Sequence, residues 1–155
     1  MEPFEPDEID REILRILQAE GRVPNQELAE RVGLSPSPCL RRVRRLEEAG
    51  LIRGYVALLD PDRVGRGLDV FVRVRLERQT VDAVDRFESE VAGLPEVQAC
   101  YRMVGEVDFL LHLVLRDLTG WDEFYTAHLG GLEGVAGITS MISMRRVKYT
   151  TALPL

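Results

Sequence analysis

Apolar side chains in the first sixty residues recur at intervals of three and four, which is the spacing of short amphipathic helices. The pattern predicts three helices, over about residues 8–20, 26–32 and 36–49, each followed by a glycine that ends it. An oxygen on the residue before each helix can accept a hydrogen bond from its first turn. The predicted capping residues are Asp7, Asn25 and Ser35. Residues 51–60, LIRGYVALLD, are predicted to form a short strand or hairpin.

The pattern changes after residue 60. Residues 61–67 combine a proline, glycines and charges, as expected of a linker. Strands with alternating apolar residues and amphipathic helices then follow in the order βαββαβ. Such a unit forms an antiparallel sheet with both helices on one face, a ferredoxin-like arrangement. We therefore predict an α+β protein with a helical domain over 1–60, a linker over 61–67 and a βαββαβ domain over 68–155. A second copy of the chain is the simplest cover for the other sheet face.

Positive charge is concentrated in one segment of a chain that is acidic as a whole. The formal net charge is -6, which argues against nucleic-acid binding through bulk charge. Between residues 31 and 46, however, there are five arginines and no acidic residue. On a helical wheel, the core side of the third helix carries Cys39, Leu40, Val43 and Leu46. The opposite side carries Ser37, Pro38, Arg41, Arg42 and Arg45, with Arg44 at the margin.

This arginine-rich face has two interpretations. It is either a solvated surface whose arginines pair with Glu47 and Glu48, or the recognition helix of a helix-turn-helix. A short preceding helix that ends at Gly33, and small hydroxyl side chains where the third helix begins, favour the second interpretation. Arginine can also bind phosphate or a guanine edge through two hydrogen bonds. We therefore predict that double-stranded DNA is bound by Ser35, Ser37, Pro38, Arg41, Arg42 and Arg45.

Other classes of protein receive less support from the residues. His112 lies in an apolar run and His128 ends a helix, where neither needs a catalytic role. The two cysteines, including Cys39 on the core side, give neither a disulfide framework nor the spacing of a metal site. We therefore predict that the protein is not an enzyme and that it holds no metal or cofactor. Besides an enzyme, the alternative to a DNA-binding protein is a module that binds metabolites or proteins without DNA. Without a signal peptide or a run approaching roughly 20 apolar residues, we expect a cytoplasmic protein with no membrane partner.

Three segments of the sequence resemble one known family. LAERVGLSPSPCLRRVRRLEEAGLIRGYVALLDP is similar to the winged helix-turn-helix of the leucine-responsive/asparagine-responsive (Lrp/AsnC) regulators. GEVDFLL and GVAGITSMISMRRVKYTTALP resemble the turn in the effector domain of the family and its last strand with the tail. The resemblance implies a transcriptional regulator with a winged helix-turn-helix over 1–60 and an effector and assembly domain over 68–155. It also implies homodimers, often assembled as octamers of four dimers, that bind amino acids between dimers.

The same resemblance assigns an effector role to the turn at residues 105–108. Glycine permits a tight turn there, and two carboxylates with nearby backbone amides can meet the ammonium and carboxylate of an amino acid. Ordinary turn chemistry is the alternative explanation, because glycine and aspartate are common in turns. Where the family often has two threonines in the last strand, this chain has isoleucine and serine, so polar groups are lost. An apolar or methionine-like side chain of the effector would fit against Ile138 and Met141. The expected contacts of this small amino acid are Gly105, Glu106, Asp108, Ile138 and Ser140.

Overall fold

The computed structural model describes residues 4–155, and its helices and strands follow the predicted order apart from residues 51–60. The helices are α1 (Glu8–Ala19), α2 (Asn25–Arg31), α3 (Pro36–Glu48), α4 (Val81–Ala92) and α5 (Leu118–Phe124), and a π-helical turn (Tyr125–Leu129) continues α5. The strands are β1 (Leu68–Leu76), β2 (Val97–Arg102), β3 (Phe109–Leu115) and β4 (Val135–Ile142). The prediction that the chain has no signal peptide rests on its N-terminal segment. Residues 1–3 of that segment lie outside the described range.

The first compact unit contains α1, α2 and α3, up to Leu58, together with Lys148–Leu155. Its core forms because the apolar stripes of the three helices meet, and it buries Ile13, Ala29, Cys39 and Leu46 completely. The predicted cap of α1 is confirmed. The Asp7 side chain accepts a hydrogen bond from the Asp10 backbone N–H at 2.8 Å, and the Asp10 side chain accepts one from the Asp7 N–H at 3.3 Å.

Several local predictions for this unit need correction. Pro24, and not Asn25, is the capping residue of α2, because Asn25 is already the first helical residue. Ser35 occupies the capping position of α3, but its side chain makes no cap hydrogen bond. Leu40, predicted on the core side, is 40% exposed. The apolar stripe that α3 buries is narrower than the wheel indicates and consists of Cys39, Val43 and Leu46.

Residues 51–60 do not form the predicted strand or hairpin. Val56, Leu58 and Leu59 are 83%, 66% and 70% exposed. A strand requires a neighbouring strand to pair with its backbone groups, and none of the described residues provides one for this segment. The Tyr55 hydroxyl donates a hydrogen bond to Glu47 at 3.0 Å. Burial, followed by the bond to this carboxylate, raises the pKa of Tyr55 to about 12.

The second compact unit, residues 59–147, contains the βαββαβ fold. Its four strands are antiparallel and lie in the order β2-β3-β1-β4. Val72, on the inner strand β1, pairs with Leu111 on one side and with Ser140 on the other. Helices α4 and α5 cover one sheet face, where Phe87 packs against Phe109 with ring centroids 4.5 Å apart. The predicted α+β fold with a ferredoxin-like second domain is therefore confirmed.

The opposite sheet face carries side chains that a single chain only partly buries. Phe71 and His112 stack on this face with ring centroids 4.7 Å apart. Asp69 binds His112 Nε2 at 2.7 Å and accepts two hydrogen bonds from Arg146 at 2.7 and 2.8 Å. Burial alone would raise the pKa of Asp69, but the bonds from Arg146 and His112 outweigh it and hold that pKa below its ordinary value. The apolar part of the face is extended by Tyr101, Leu110 and Met141.

The tail Lys148–Leu155 belongs to the first compact unit. The Gln18 side-chain amide on α1 donates a hydrogen bond to the Leu153 carbonyl at 3.1 Å and accepts one from the Leu153 N–H at 2.6 Å. Arg15 donates to the Leu155 carbonyl at 2.9 Å. The division between compact units falls at residue 59 and again at residue 148. The domain boundaries at residues 60 and 68, drawn from composition, stay predictions.

Candidate nucleic-acid interface and effector site

Helices α2 and α3 form the helix-turn-helix, and the turn between them depends on Gly33. The φ angle of Gly33 is 69°, in the left-handed region that residues with a Cβ adopt only at a cost. The Leu34 N–H donates to the Ala29 carbonyl at 2.8 Å, which closes the end of α2. The Asn25 side-chain amide donates to the Pro36 carbonyl at 2.9 Å. Because this bond ties the start of α2 to the start of α3, it fixes the direction in which α3 leaves the turn.

The outward face of α3 presents side chains that are available to a ligand. Arg41 and Arg44 are exposed, and neither forms an ion pair with another residue in the range 4–155. Ser35 and Ser37 are exposed at the helix start, where the first turn contains no acidic residue. Pro36 and Pro38 have no N–H, and the Cys39 N–H donates to the Ser35 carbonyl at 3.2 Å. The start of α3 therefore attracts an anion mainly through its positive dipole, which no acidic side chain of the first turn offsets. This face can bind an anionic, hydrogen-bonding surface.

Arg42 and Arg45 point instead toward α1, where both bind Asp10. Asp10 Oδ1 lies 2.8 Å from Arg42 Nη1, and Asp10 Oδ2 lies 2.7 Å from Arg45 Nη2. The Asp10 side chain is 0% exposed, and the two guanidinium groups balance its negative charge. Arg42 also binds Asp7 at 2.7 Å, and the guanidinium carbon of Arg45 lies 4.7 Å from the ring centroid of Phe4. We name Asp10, Arg42 and Arg45 the Asp10 clamp.

The charges around the clamp reinforce one another. The hydrogen bond from the Asp10 backbone N–H, followed by the bond from Arg42, lowers the pKa of Asp7. Bonds to Asp7 and then to Asp10 raise the pKa of Arg42. Asp7 and Arg42 are therefore both ionised at neutral pH, and their ion pair persists there.

The residues predicted to bind DNA thus fall into two groups. Ser35, Ser37 and Arg41 lie on the exposed side and Pro38 is half-buried, whereas Arg42 and Arg45 belong to the clamp. A helical wheel treats every residue away from the core as outward, and it cannot show a carboxylate that another helix supplies.

Sequence reasoning did not single out Arg44 or Asp10, which the structure places on the outward face and in the clamp. The wheel places Arg44 at the margin, but it is exposed and belongs to the outward face. A signal for Asp10 was present in the sequence. It precedes Ile13 and Leu14 by three and four residues, so it is an acid on the buried stripe of α1. A buried acid requires a cationic partner, and the neighbouring helix is rich in arginine.

A shallow cavity lies where the chain turns from β2 into β3. Its volume is about 260 Å³, below the roughly 300–1,000 Å³ of pockets for drug-sized ligands. Gly105, with φ 136°, permits the turn at its rim. The cavity therefore suits a small molecule. Its lining includes Gln79, Arg102, Met103, Gly105, Asp108 and Phe109.

Asp108 is both a wall of this cavity and a link between strands. Its Oδ2 accepts a hydrogen bond from the Leu76 backbone N–H at 2.7 Å, and its Oδ1 accepts one from the Gln79 side chain at 2.6 Å. The Asp108 backbone bonds to Val74 and Met103 at 2.9 and 2.8 Å. A carboxylate offers about four lone-pair sites, so two of them stay available to an ammonium group.

The other predicted effector residues are not gathered around Asp108. Glu106 is 93% exposed, and its nearest cation is Arg73 at 3.7 Å. Ile138 pairs with Val74 on the side of β1 opposite to β3, so β1 separates it from the cavity by roughly 10 Å. Ser140 lies farther along the same strand, and neither residue lines the cavity.

Arg102 and Gln79 are cavity residues that sequence reasoning did not single out. Arg102 ends β2 immediately before the turn, and within the described part of the chain its guanidinium has no ion-pair partner. Gln79 follows β1 and reaches the cavity only because β1 and β3 are paired. A charged residue at the end of a strand, beside a predicted ligand turn, was the available signal for Arg102.

The alternative sites considered from the sequence have structural explanations. His112 is engaged by Asp69, and Cys39 is buried, which raises the pKa of its thiol. Over residues 4–155, no group of three or more His, Cys, Asp or Glu side chains is arranged to hold a metal ion. No helix in that range is long and apolar enough to cross a membrane.

Comparison with known proteins adds to this geometry. A winged helix-turn-helix DNA-binding domain matches residues 6–53, and the Lrp/AsnC ligand binding domain matches residues 69–153. The chain is 45% identical over 151 residues to the Bkd operon transcriptional regulator of Pseudomonas aeruginosa, with 97% of this chain and 99% of that protein covered.

Solved structures of regulators also match most of the chain. An AsnC family transcriptional regulator from Agrobacterium tumefaciens matches with a TM-score of 0.91 and 42% identity, over 96% of each chain. A transcriptional regulator from Neisseria meningitidis, in complex with L-Met, matches with a TM-score of 0.91 and 43% identity, over 96% of each chain. These relatives are regulators, which confirms the prediction that the chain is not an enzyme. The chain belongs to the Lrp/AsnC family of DNA-binding transcriptional regulators.

Proposed function

We propose that this regulator reads DNA with the outward face of α3, through Ser37, Arg41 and Arg44, and that Ser35 lies beside a phosphate at the helix start. Arg41 and Arg44 are spaced by three residues, so they project from neighbouring turns of the same face. The observation that carries the proposal is that both are exposed and unpaired within the described chain, whereas Arg42 and Arg45 are held by Asp10. Because it acts on DNA, we place the protein in the cytoplasm.

Single and double variants of Arg41 and Arg44 test this assignment. Operator fragments are first selected from random DNA with the wild-type protein, and affinity is then measured over a range of salt concentrations. Replacing a base-reading arginine by glutamine is expected to cost about 1–3 kcal/mol and to relax one operator position. Replacing a phosphate-binding arginine weakens binding to all sequences and lowers the salt slope by about 1. Arg86→Gln in α4 is the control for loss of a positive charge. Wild-type affinity, specificity and slope in Arg41→Gln/Arg44→Gln would contradict the assignment.

We infer that the cavity beside residues 105–108 binds a small amino acid. The matched ligand binding domain and the L-Met complex of the Neisseria relative support this inference. On the cavity wall, Arg102 can pair with a carboxylate and Asp108 with an ammonium group. Met103 and Phe109 provide apolar surface for the side chain of the ligand. We therefore expect methionine or a similar apolar amino acid to be preferred.

Calorimetry against the twenty amino acids tests the effector. We expect Arg102→Gln to abolish the binding heat because the carboxylate of the ligand loses its cationic partner. Glu106→Gln is the matched control, since the Glu106 side chain is 93% exposed and lies outside the cavity lining. Absence of heat with every amino acid would overturn the inference and leave the second unit as an assembly domain.

We also propose that a second copy of the chain covers the open sheet face. Met141 and Tyr101 are 41% and 58% exposed there, and such apolar patches mark interaction surfaces. A dimer presents two α3 helices to DNA half-sites spaced by about 34 Å or a multiple of it. Association into octamers of four dimers would let Ile138 and Ser140 of one copy join the Gly105–Asp108 turn of another. Light scattering is expected to show such assemblies and a shift in size with methionine. A monomer at micromolar concentration contradicts the proposal.

A further inference from the structure

The Asp10 clamp joins the recognition helix to α1 through a single buried carboxylate. Asp10 is 0% exposed and binds Arg42 and Arg45 through separate oxygens, at 2.8 and 2.7 Å. Its backbone N–H is fixed by Asp7, so the carboxylate is held in place by the capping box of α1. The positive end of the α1 dipole adds to the attraction for this negative charge. The carboxylate therefore binds both arginines at once.

We propose that Asp10 is a positioning residue for DNA recognition, which keeps Arg42 and Arg45 from binding phosphate and leaves Arg41 and Arg44 as the arginines of α3 that meet DNA. The proposal rests on the proposed assignment of Arg41 and Arg44 to the interface. Asp10 acts in the clamp as an internal counterpart of a phosphate, because arginine binds both anions with the same planar donors.

A phosphate on DNA cannot easily displace Asp10. If either arginine turned to the nucleic acid, the buried carboxylate would lose one of its two cationic partners, which is among the costlier events in a protein interior. Arg42 is further restrained, since it also binds Asp7 and its side chain is only 26% exposed. The arginines of the clamp therefore stay on α1 when the protein docks.

The consequence concerns the balance between specific and general binding. Each arginine that neutralises a phosphate releases a counterion and strengthens binding to every DNA sequence alike. By holding two arginines back, Asp10 reduces the sequence-independent part of the affinity and leaves the base-reading part unchanged. Neutralising Asp10 should then increase general DNA binding, which a purely structural role for Asp10 does not predict.

Two neighbouring arginines provide a matched first test. Arg44 and Arg45 are adjacent in α3 and both exposed, but only Arg45 binds Asp10. Affinity for the selected operator is measured as a function of salt for Arg44→Gln and Arg45→Gln. We expect the slope to fall by about 1 for Arg44→Gln if Arg44 binds phosphate, and to stay at the wild-type value for Arg45→Gln. A lower slope in Arg45→Gln overturns the clamp. Wild-type slope and specificity in Arg44→Gln overturn only the assignment of Arg44 to DNA.

The second test releases the arginines. In Asp10→Asn the shape of the side chain is kept and its charge is removed, so we expect a salt slope steeper by about 1 to 2. Each added phosphate contact makes affinity fall roughly 3-fold more between about 50 and 200 mM salt. Binding to a non-operator fragment at low salt should rise, and the ratio of operator to non-operator affinity should fall. Glu12→Gln, which removes an acid of α1 that binds Arg15 and not α3, is the control and should leave the slope unchanged.

A triple variant identifies the origin of the added slope. In Asp10→Asn/Arg42→Gln/Arg45→Gln the released arginines are absent, and the slope should return to the wild-type value. An unchanged or lower slope in folded Asp10→Asn, or a steep slope that persists in the triple variant, overturns the proposal. Circular dichroism establishes that each variant is folded. If Asp10→Asn does not fold, the Arg44→Gln and Arg45→Gln pair still decides the question.

Discussion

Replacing Asp108 by alanine tests whether this carboxylate supports the fold as well as the proposed effector. The variant loses the acceptor for the Leu76 backbone N–H and for the Gln79 side chain, which lie 2.7 and 2.6 Å from the carboxylate. A hydrogen bond to a charged group contributes about 1.5–3 kcal/mol, and the Leu76 bond is partly buried. Gln79 is exposed, so its bond adds about 0.5 kcal/mol or less. We expect Asp108→Ala to lower the free energy of unfolding of the second unit by about 2–3 kcal/mol.

Urea unfolding followed by tryptophan fluorescence measures this change. Trp121, the single tryptophan of the chain, lies in α5 and packs against the core of the second unit, so it reports on that unit. With a slope of about 1 kcal/mol/M for a unit of this size, the unfolding midpoint should fall by roughly 2–3 M. Asp108→Asn keeps an oxygen for the Leu76 N–H and should cost about 1 kcal/mol, because only the charge assistance is lost. Equal midpoints for alanine and wild type, or equal losses for alanine and asparagine, would refute the structural role.

Three further outcomes are expected. Gly33→Ala should destabilise the first unit by about 1 kcal/mol, because alanine must adopt φ 69°. Thermal unfolding followed by circular dichroism measures this loss, and an unchanged melting temperature would contradict the role of this turn. Leu46→Ala, at a side chain that is 0% exposed, should cost about 2–5 kcal/mol in urea unfolding. Because the pKa of Asp69 is lowered in the fold, its ionised form stabilises the protein above about pH 4, and this contribution is lost as pH falls. Asp69→Asn should therefore flatten the acid limb of stability against pH, and an unaltered limb would exclude Asp69 as its source.

The order of helices and strands could be predicted because it depends on local periodicity. The alternation of Val70, Val72 and Val74 identifies β1 and its buried face without any knowledge of its neighbours. The segment 51–60 has similar apolar content, but whether it becomes a strand depends on a partner strand that no local pattern specifies. The cap of α2 was displaced by one residue, since both Pro24 and Asn25 are common at helix starts.

The candidate sites were predictable by segment but not by residue. The sequence identifies α3 as the arginine-rich helix, yet Arg42 and Arg45 differ from Arg41 and Arg44 only through contacts with α1. A carboxylate that is 32 or 35 residues away along the chain decides which arginines are available. The turn at residues 105–108 was singled out as an effector site only through the family resemblance. Arg102 and Gln79 join the cavity beside it because β1, β2 and β3 are paired, which no local pattern shows. A helical wheel or a sequence motif cannot identify contacts between residues that are far apart in the sequence.

The contact between the tail and α1 has a consequence for the order in which the chain acquires its structure. Gln18 and Leu153 are hydrogen-bonded although they are 135 residues apart in the sequence. The helices α1, α2 and α3, by contrast, follow one another directly along the chain. During synthesis at about 5–20 residues per second, the three helices emerge several seconds before residues 148–155 exist. They can assemble around Ile13 and Leu46 early, because their mutual contacts are local. The nascent DNA-binding unit therefore passes through a period in which Gln18 bonds to water, and the tail completes the unit only after the whole sheet has been made.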